Sequence, residues 1–141
     1  MVVGVGHRFP GGRFRVEEYV DHLVRDVVGA PPDPKPGAAH PMVAFVAAQS
    51  GIGMTLEDVF AVFDAHSSDG PMLGGWSVDV TEPLRVGAEY GVRGVVERVD
   101  RKQGARTGAF DLVTVAVDLV GDDGRVHAVV RPTYVFPRRA T

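Results

Sequence analysis

No cysteine occurs in the sequence, and that absence excludes disulfide frameworks, thiolate nucleophiles and thiolate-bound zinc together. It also suits a reducing compartment. Long apolar runs are missing too: nothing approaches the roughly 18 residues of a membrane-spanning helix. The opening Met1-Val2-Val3-Gly4-Val5-Gly6 lacks the basic flank and extended apolar region of a secretory leader, so a soluble, cytoplasmic protein without a membrane partner is expected. Neither sign of charge dominates. With 15 basic and 18 acidic residues and a formal charge of -3, the chain sets up no field to attract nucleic acid, so nucleic-acid binding is not expected. Histidine, aspartate and glutamate are scattered without close pairs at ligand spacing, so no metal is expected. The glycines between Gly4 and Gly12 do not follow a strand and open a helix in the dinucleotide manner, so they are read as turn residues and no cofactor is expected.

What is present divides into two halves. The 141 residues suffice for one domain, expected over residues 1–141, burying roughly 70% of the surface its unfolded chain exposes. In the first half, Val16, Tyr19, Val20, Leu23, Val24, Val27 and Val28 recur at helical spacing, with Gly29 as a stop. Pro31, Pro32, Pro34 and Pro36 then force an exposed, stiff loop running to Ala39. Pro41 suits the first turn of a helix, and Met42 to Ser50 are apolar on nearly every side, so this helix belongs inside the fold. Another helix is predicted from an N-cap at Thr55, carrying Leu56, Val59, Phe60, Val62 and Phe63 and fading near His66 to Gly70. The second half changes period. Trp76, Val78 and Val80 alternate with polar neighbours, and residues 110–120 and 126–136 read as long strands, with turns at Asp122-Asp123-Gly124 and Gly104 to Gly108. Three or four consecutive antiparallel strands after a run of helices make an α+β layout in which the sheet covers the apolar helix.

Certain stretches carry a resemblance. Gly70-Pro71-Met72-Leu73-Gly74-Gly75-Trp76, followed by Glu82-Pro83-Leu84-Arg85-Val86-Gly87, is similar to a strand and turn of the MaoC-like acyl-thioester dehydratases and hydratases. Val95 to Val99, Arg101-Lys102, Gly104, Gly108 and Asp122-Asp123-Gly124 continue it, so the resemblance covers roughly residues 70 to 137. It implies a hot-dog fold, a long central helix wrapped by a curved antiparallel sheet. It also implies an acyl thioester of coenzyme A or acyl carrier protein held along helix and sheet, and pairing as a homodimer or as a heterodimer with another hot-dog chain. A cystatin-like barrel, with another strand order and helix position, is the unrelated alternative.

Active members of that family carry an Asp and a His before the central helix, in the pattern Asp-x-Asn-Pro-x-His. The corresponding loop here, Gly29 to Pro41, has no Asn and a longer Asp-to-His spacing. Asp33 and His40 are the catalytic candidates, able to act as an acid–base pair if the proline loop folds back. Pro41 has no amide hydrogen, so the amide of Met42 or of a neighbour is the expected donor to the thioester carbonyl. Gly74 and Trp76 on the strand, with His66 in the polar loop, complete the expected substrate contacts. Each has a plainer reading: His40 as a helix cap, His66 as a solvated loop residue, and Arg101, Lys102 and Arg106 as a solubilising hairpin tip rather than a phosphate site. Three functions follow. They are a hydro-lyase on 3-hydroxyacyl or 2-enoyl thioesters, a non-catalytic acyl-binding subunit completed by a partner, and a divergent thioesterase or polyketide dehydratase-cyclase using Asp64 or Glu57.

Overall fold

A computed structural model describes residues 3–31, 37–106 and 108–138. The apolar stretch after Pro41 becomes helix α2, Met42–Ser50, and Val43, Ala44, Ala47 and Ala48 are buried on it. Alanine at three of those four positions lets the sheet approach the helix closely. The helix has only nine residues, shorter than the long helix the resemblance implied, and Gly51 ends it. A Cβ there would lie 2.5 Å from Val92 Cγ2 and 3.0 Å from the Ala47 carbonyl oxygen, so the chain must leave the helix where the sheet crosses it.

Helix α1, Glu18–Val28, ends at Gly29 in the left-handed region, as the stop signal predicts. Its apolar stripe is only partly used. Val20 and Val24 pack on the core, whereas Tyr19, Leu23 and Val27 are exposed. Val16 is fully buried but precedes the helix, exchanging backbone hydrogen bonds with Gly87 and Ala88. Helix α3, Leu56–Val62, starts at the expected cap, the Thr55 side chain accepting the Asp58 N–H. A short 3-10 turn, Ser67–Asp69, follows it.

Five antiparallel strands form one sheet: β1, Gly12–Arg15; β2, Met72–Val80; β3, Glu89–Gly104; β4, Gly108–Val120; and β5, Val126–Arg138. Their spatial order is β1-β3-β4-β5-β2. Sequence reading assigned no strand to the segment of β1, which begins at Gly12, the last of the glycines read as turn residues. Its four residues are too few to show a period of two, and pairing with β3 alone defines them. Register shifts at Val96/Arg98 and Leu73/Gly75 bend the long strands around α2.

Alternation along β4 and β5 buries Val113, Val115, Val117 and Leu119 with Val130, Tyr134 and Phe136 against the helices. Phe63 stacks on Phe136 at 5.2 Å between centroids, and both are fully buried, each contributing about 1.5–3 kcal/mol. At the far end, the buried Asp111 carboxylate binds Arg101 and Arg138, and Arg138 also donates to the carbonyls of Phe63 and Asp64. The sheet is thereby tied to the end of α3.

Candidate functional site

Two residues one turn apart on α1 hold the segment that leads into α2. Arg25 Nε donates to Asp21 Oδ2 at 3.0 Å, and both side chains are 14% exposed. Arg25 Nη1 donates to the Pro31 carbonyl at 2.9 Å and Nη2 to the Ala38 carbonyl at 3.2 Å, one on each side of the proline loop. The other oxygen of Asp21 accepts the His40 backbone N–H at 2.7 Å. From the opposite side, the Ala39 N–H donates to Leu84 and the Val86 N–H to Gly37. Both described ends of the proline loop are thus fastened by neighbouring elements.

The start of α2 is internally satisfied. His40 Nδ1 accepts the Met42 N–H at 3.1 Å, and the His40 and Pro41 carbonyls take the N–H groups of Val43 and Ala44. An imidazole that accepts at Nδ1 carries its proton on Nε2, so His40 in this state is a donor toward the outside. Asp33 lies outside the described residues.

One turn along, Phe45 faces the sheet, and the Trp76 ring lies over it at 4.6 Å with a 35° tilt. Beside this pair, α2, α3, β2 and β5 line an open cavity of about 220 Å³. Phe45, Leu56, Phe60, Met72 and Leu73 form its apolar walls, and Gln49 and Tyr134 bring polar atoms to it. Gln49 Nε2 is 3.1 Å from the Tyr134 hydroxyl. Burial raises the Tyr134 pKa, against a smaller lowering by Gln49, so the phenol remains protonated. The cavity reaches the sheet edge at β2, where Met72 and Leu73 are exposed.

No protein-family profile and no curated protein matches the sequence. Solved structures do. The chain is similar to the HadBC 3R-hydroxyacyl-ACP dehydratase complex of Mycobacterium tuberculosis, with 16% identity, 95% of this chain and 98% of that chain covered, and a TM-score of 0.73. It is also similar to the ChsH1-ChsH2 complex of the same organism, with 16% identity, 96% and 84% covered, and a TM-score of 0.66. The R-hydratase PhaJ1 of Pseudomonas aeruginosa gives 15% identity, 97% and 84% covered, and a TM-score of 0.60. The chain has the hot-dog fold of the MaoC-like dehydratases and hydratases. At these identities the likeness is one of fold, and it sets the cystatin-like alternative aside.

In this hot-dog frame the expected substrate contacts separate. Met42 and Trp76 are half-buried, Met42 at the start of α2 and Trp76 packed on the same helix through Phe45. Gly74 turns to the outer face of the sheet, where a Cβ would meet Val135 Cγ2 at 2.9 Å. There it helps line a shallow depression of about 530 Å³ with Trp76, Leu112, Thr114, Thr133 and Arg131. The β2 register shift beside it, at Gly74-Gly75, redirects the strand. His66 is 76% exposed, 3.8 Å from Glu57, and its backbone N–H is capped by Asp69. Glu57 and Asp64, the carboxylates a thioesterase reading would place in the tunnel, are both exposed and line neither cavity. Arg101 is engaged by Asp111, leaving Lys102 and Arg106 exposed near the hairpin tip.

Sequence reading missed two groups. Gln49 and Tyr134 sit 85 residues apart, and only the fold joins them. Glu82, Asp123 and His127 bring possible ligand atoms within 4.8 Å of one another, contrary to the expectation of no close set. Asp123 and His127 four apart across an Asp-Gly turn were the visible signal. Here a guanidinium already supplies the positive charge: Arg125 pairs with Glu82 and Asp123. The Arg125 backbone N–H, then the His127 side chain, hold the Asp123 carboxyl below its usual range. Among the described residues, the buried His127 Nδ1 has no hydrogen-bond partner. A metal on Nε2 would force a proton onto that nitrogen with no acceptor, so the trio acts as an ion-pair cluster joining the β4–β5 turn to the segment after β2.

Proposed function

We propose that this chain is the acyl-holding half of a hot-dog hydratase or dehydratase for 3-hydroxyacyl or 2-enoyl thioesters, on coenzyme A or acyl carrier protein. A second hot-dog chain supplies the acid–base pair. The observation that carries this reading is the satisfied start of α2. The Met42 N–H is taken by His40 Nδ1, the Val43 N–H by the His40 carbonyl, and Pro41 has none. No free donor there meets a developing thioester oxyanion. His40 has its Nδ1 lone pair engaged and its proton on Nε2, the wrong state for a base. The longer spacing between Asp33 and His40 points the same way.

The partner belongs at β2. That strand ends the sheet, is nine residues long and leaves Met72, Leu73 and Val80 exposed, whereas the opposite edge has four residues and an Arg13–Glu89 pair across it. Long exposed edges with apolar residues are covered in stable proteins. The cavity opens at this same edge, so an acyl chain held here reaches toward the neighbour.

Hydration of crotonyl-CoA and of a longer 2-enoyl-CoA, followed by loss of absorbance, tests the reading. The purified chain is expected to bind the longer ester and to hydrate neither above the buffer rate. Hydration by the chain alone, lost in both His40→Ala and Asp33→Asn, would show a self-sufficient enzyme with a displaced dyad and overturn the proposal.

A further inference from the structure

Gln49 and Tyr134 are the polar side chains of a cavity whose other lining side chains are apolar. The phenol oxygen is 3.1 Å from the amide nitrogen and 3.4 Å from the amide oxygen. A primary amide offers two N–H donors and two acceptor lone pairs, while a phenol has one O–H and limited acceptor capacity. Bonding between the two therefore leaves hydrogen-bonding capacity of Gln49 unspent. Gln49 is half-buried and lines the cavity, so in the open cleft water can meet that capacity. The phenol is not free to turn away. Gln49 stands in the last turn of α2, and the Tyr134 ring is buried between Phe60 and Phe136 at centroid distances of 6.5 and 6.0 Å.

A hydrocarbon chain filling this cleft would expel the water and leave the amide unsatisfied, at a cost that aliphatic contact does not return. A chain with an oxygen at that level restores the bond. We propose that the Gln49–Tyr134 pair is a specificity device selecting an apolar chain that carries a hydroxyl or carbonyl oxygen beside it. In the reading above, which supplies the thioester but not the oxygen preference, this is an acyl chain with a second oxygen remote from the reacting carbons. Sites built to hydrogen-bond a substrate group discriminate against the analogue that lacks it, because their own polar atoms are then stranded.

Isothermal titration calorimetry with two probe pairs tests this. Toluene and p-cresol differ by one hydroxyl and need no thioester. Octanoyl-CoA and hydroxyoctanoyl-CoA isomers, with the oxygen moved along the distal half of the chain, test the full ligand. The oxygenated member of each pair is expected to bind about tenfold tighter, with the preference falling to about twofold or less in Gln49→Leu. Tyr134→Phe provides a second variant, which frees the amide and is expected to keep part of the preference. Equal binding within both pairs, or no binding of any probe, overturns the proposal. Preference for p-cresol with no binding of either CoA ester would retain the device and remove the thioester reading. Tight octanoyl-CoA binding without oxygen preference would do the reverse.

Discussion

The carboxylate of Asp21 on α1 accepts the backbone N–H of His40 at 2.7 Å, across 19 residues of chain. Its other oxygen holds Arg25, which in turn holds the carbonyls on both sides of the proline loop. The residue that opens α2 is therefore placed by the helix before it, not by the loop that carries it. Asp21→Ala is expected to cost about 1–3 kcal/mol, the range for stranding buried hydrogen-bond partners. Urea denaturation measures the loss, and hydrogen exchange should quicken at the His40 amide well before the β4 amides. Unchanged exchange at His40 would mean the clamp is incidental.

Asp111 gives the pH dependence. Its burial favours the neutral acid, but hydrogen bonds from Arg101 and then Arg138, with their charges, outweigh that and hold the carboxyl below its ordinary value. A folded-state pKa below the unfolded one adds stability above the unfolded value of about 3.9 and loses it as pH falls through the folded value. Stability should thus decline below about pH 4 more steeply in the native chain than in Asp111→Asn. Coincident acid-unfolding curves for the two would count against this assignment. At pH 7 the same variant should lose about 1.5–3 kcal/mol, the range for hydrogen bonds to charged groups.

Gly51 marks where helix and sheet touch. Gly51→Ala places a methyl against the Val92 side chain and the Ala47 carbonyl, and about 1–3 kcal/mol of destabilisation follows from overpacking. Gly29→Ala, at the end of α1 with nothing within 4 Å of its added Cβ but a φ of 70°, should cost only about 1 kcal/mol through backbone strain. Thermal melts that rank the two the other way would show that α2 has room to shift.

Zinc should leave the melting temperature unchanged at any concentration, because Arg125 already neutralises Glu82 and Asp123 and His127 lacks an acceptor at Nδ1. Ligand binding to the folded state would raise it progressively. A concentration-dependent rise that disappears in His127→Ala would establish a metal site there.

Much of the fold was legible along the chain because its signals are local. Periodicity marked α1 and the long strands, Pro41 and an uninterrupted apolar stretch marked α2, Thr55 and Gly29 marked helix ends, and the Asp-Gly turn marked the β4–β5 connection. The candidate site was less legible. Trp76 packs on Phe45 of α2, but the Leu73/Gly75 register shift carried Gly74 to the outer face, and β1 has too few residues to show a pattern of its own. Asp21 looked like any polar residue on an amphipathic helix.

By itself the sequence determined the α+β class, the burial of the alanine-rich helix and the departure from the family's Asp/His spacing, since composition, period and spacing are properties of neighbouring residues. Only the tertiary structure decided that the Met42 amide is occupied and that Arg125 fills the Glu82–Asp123–His127 cluster. It alone also showed that Gln49 meets Tyr134 inside an apolar cavity. Hydrogen bonds depend on distance and direction between groups remote in the chain, and a one-dimensional pattern contains neither.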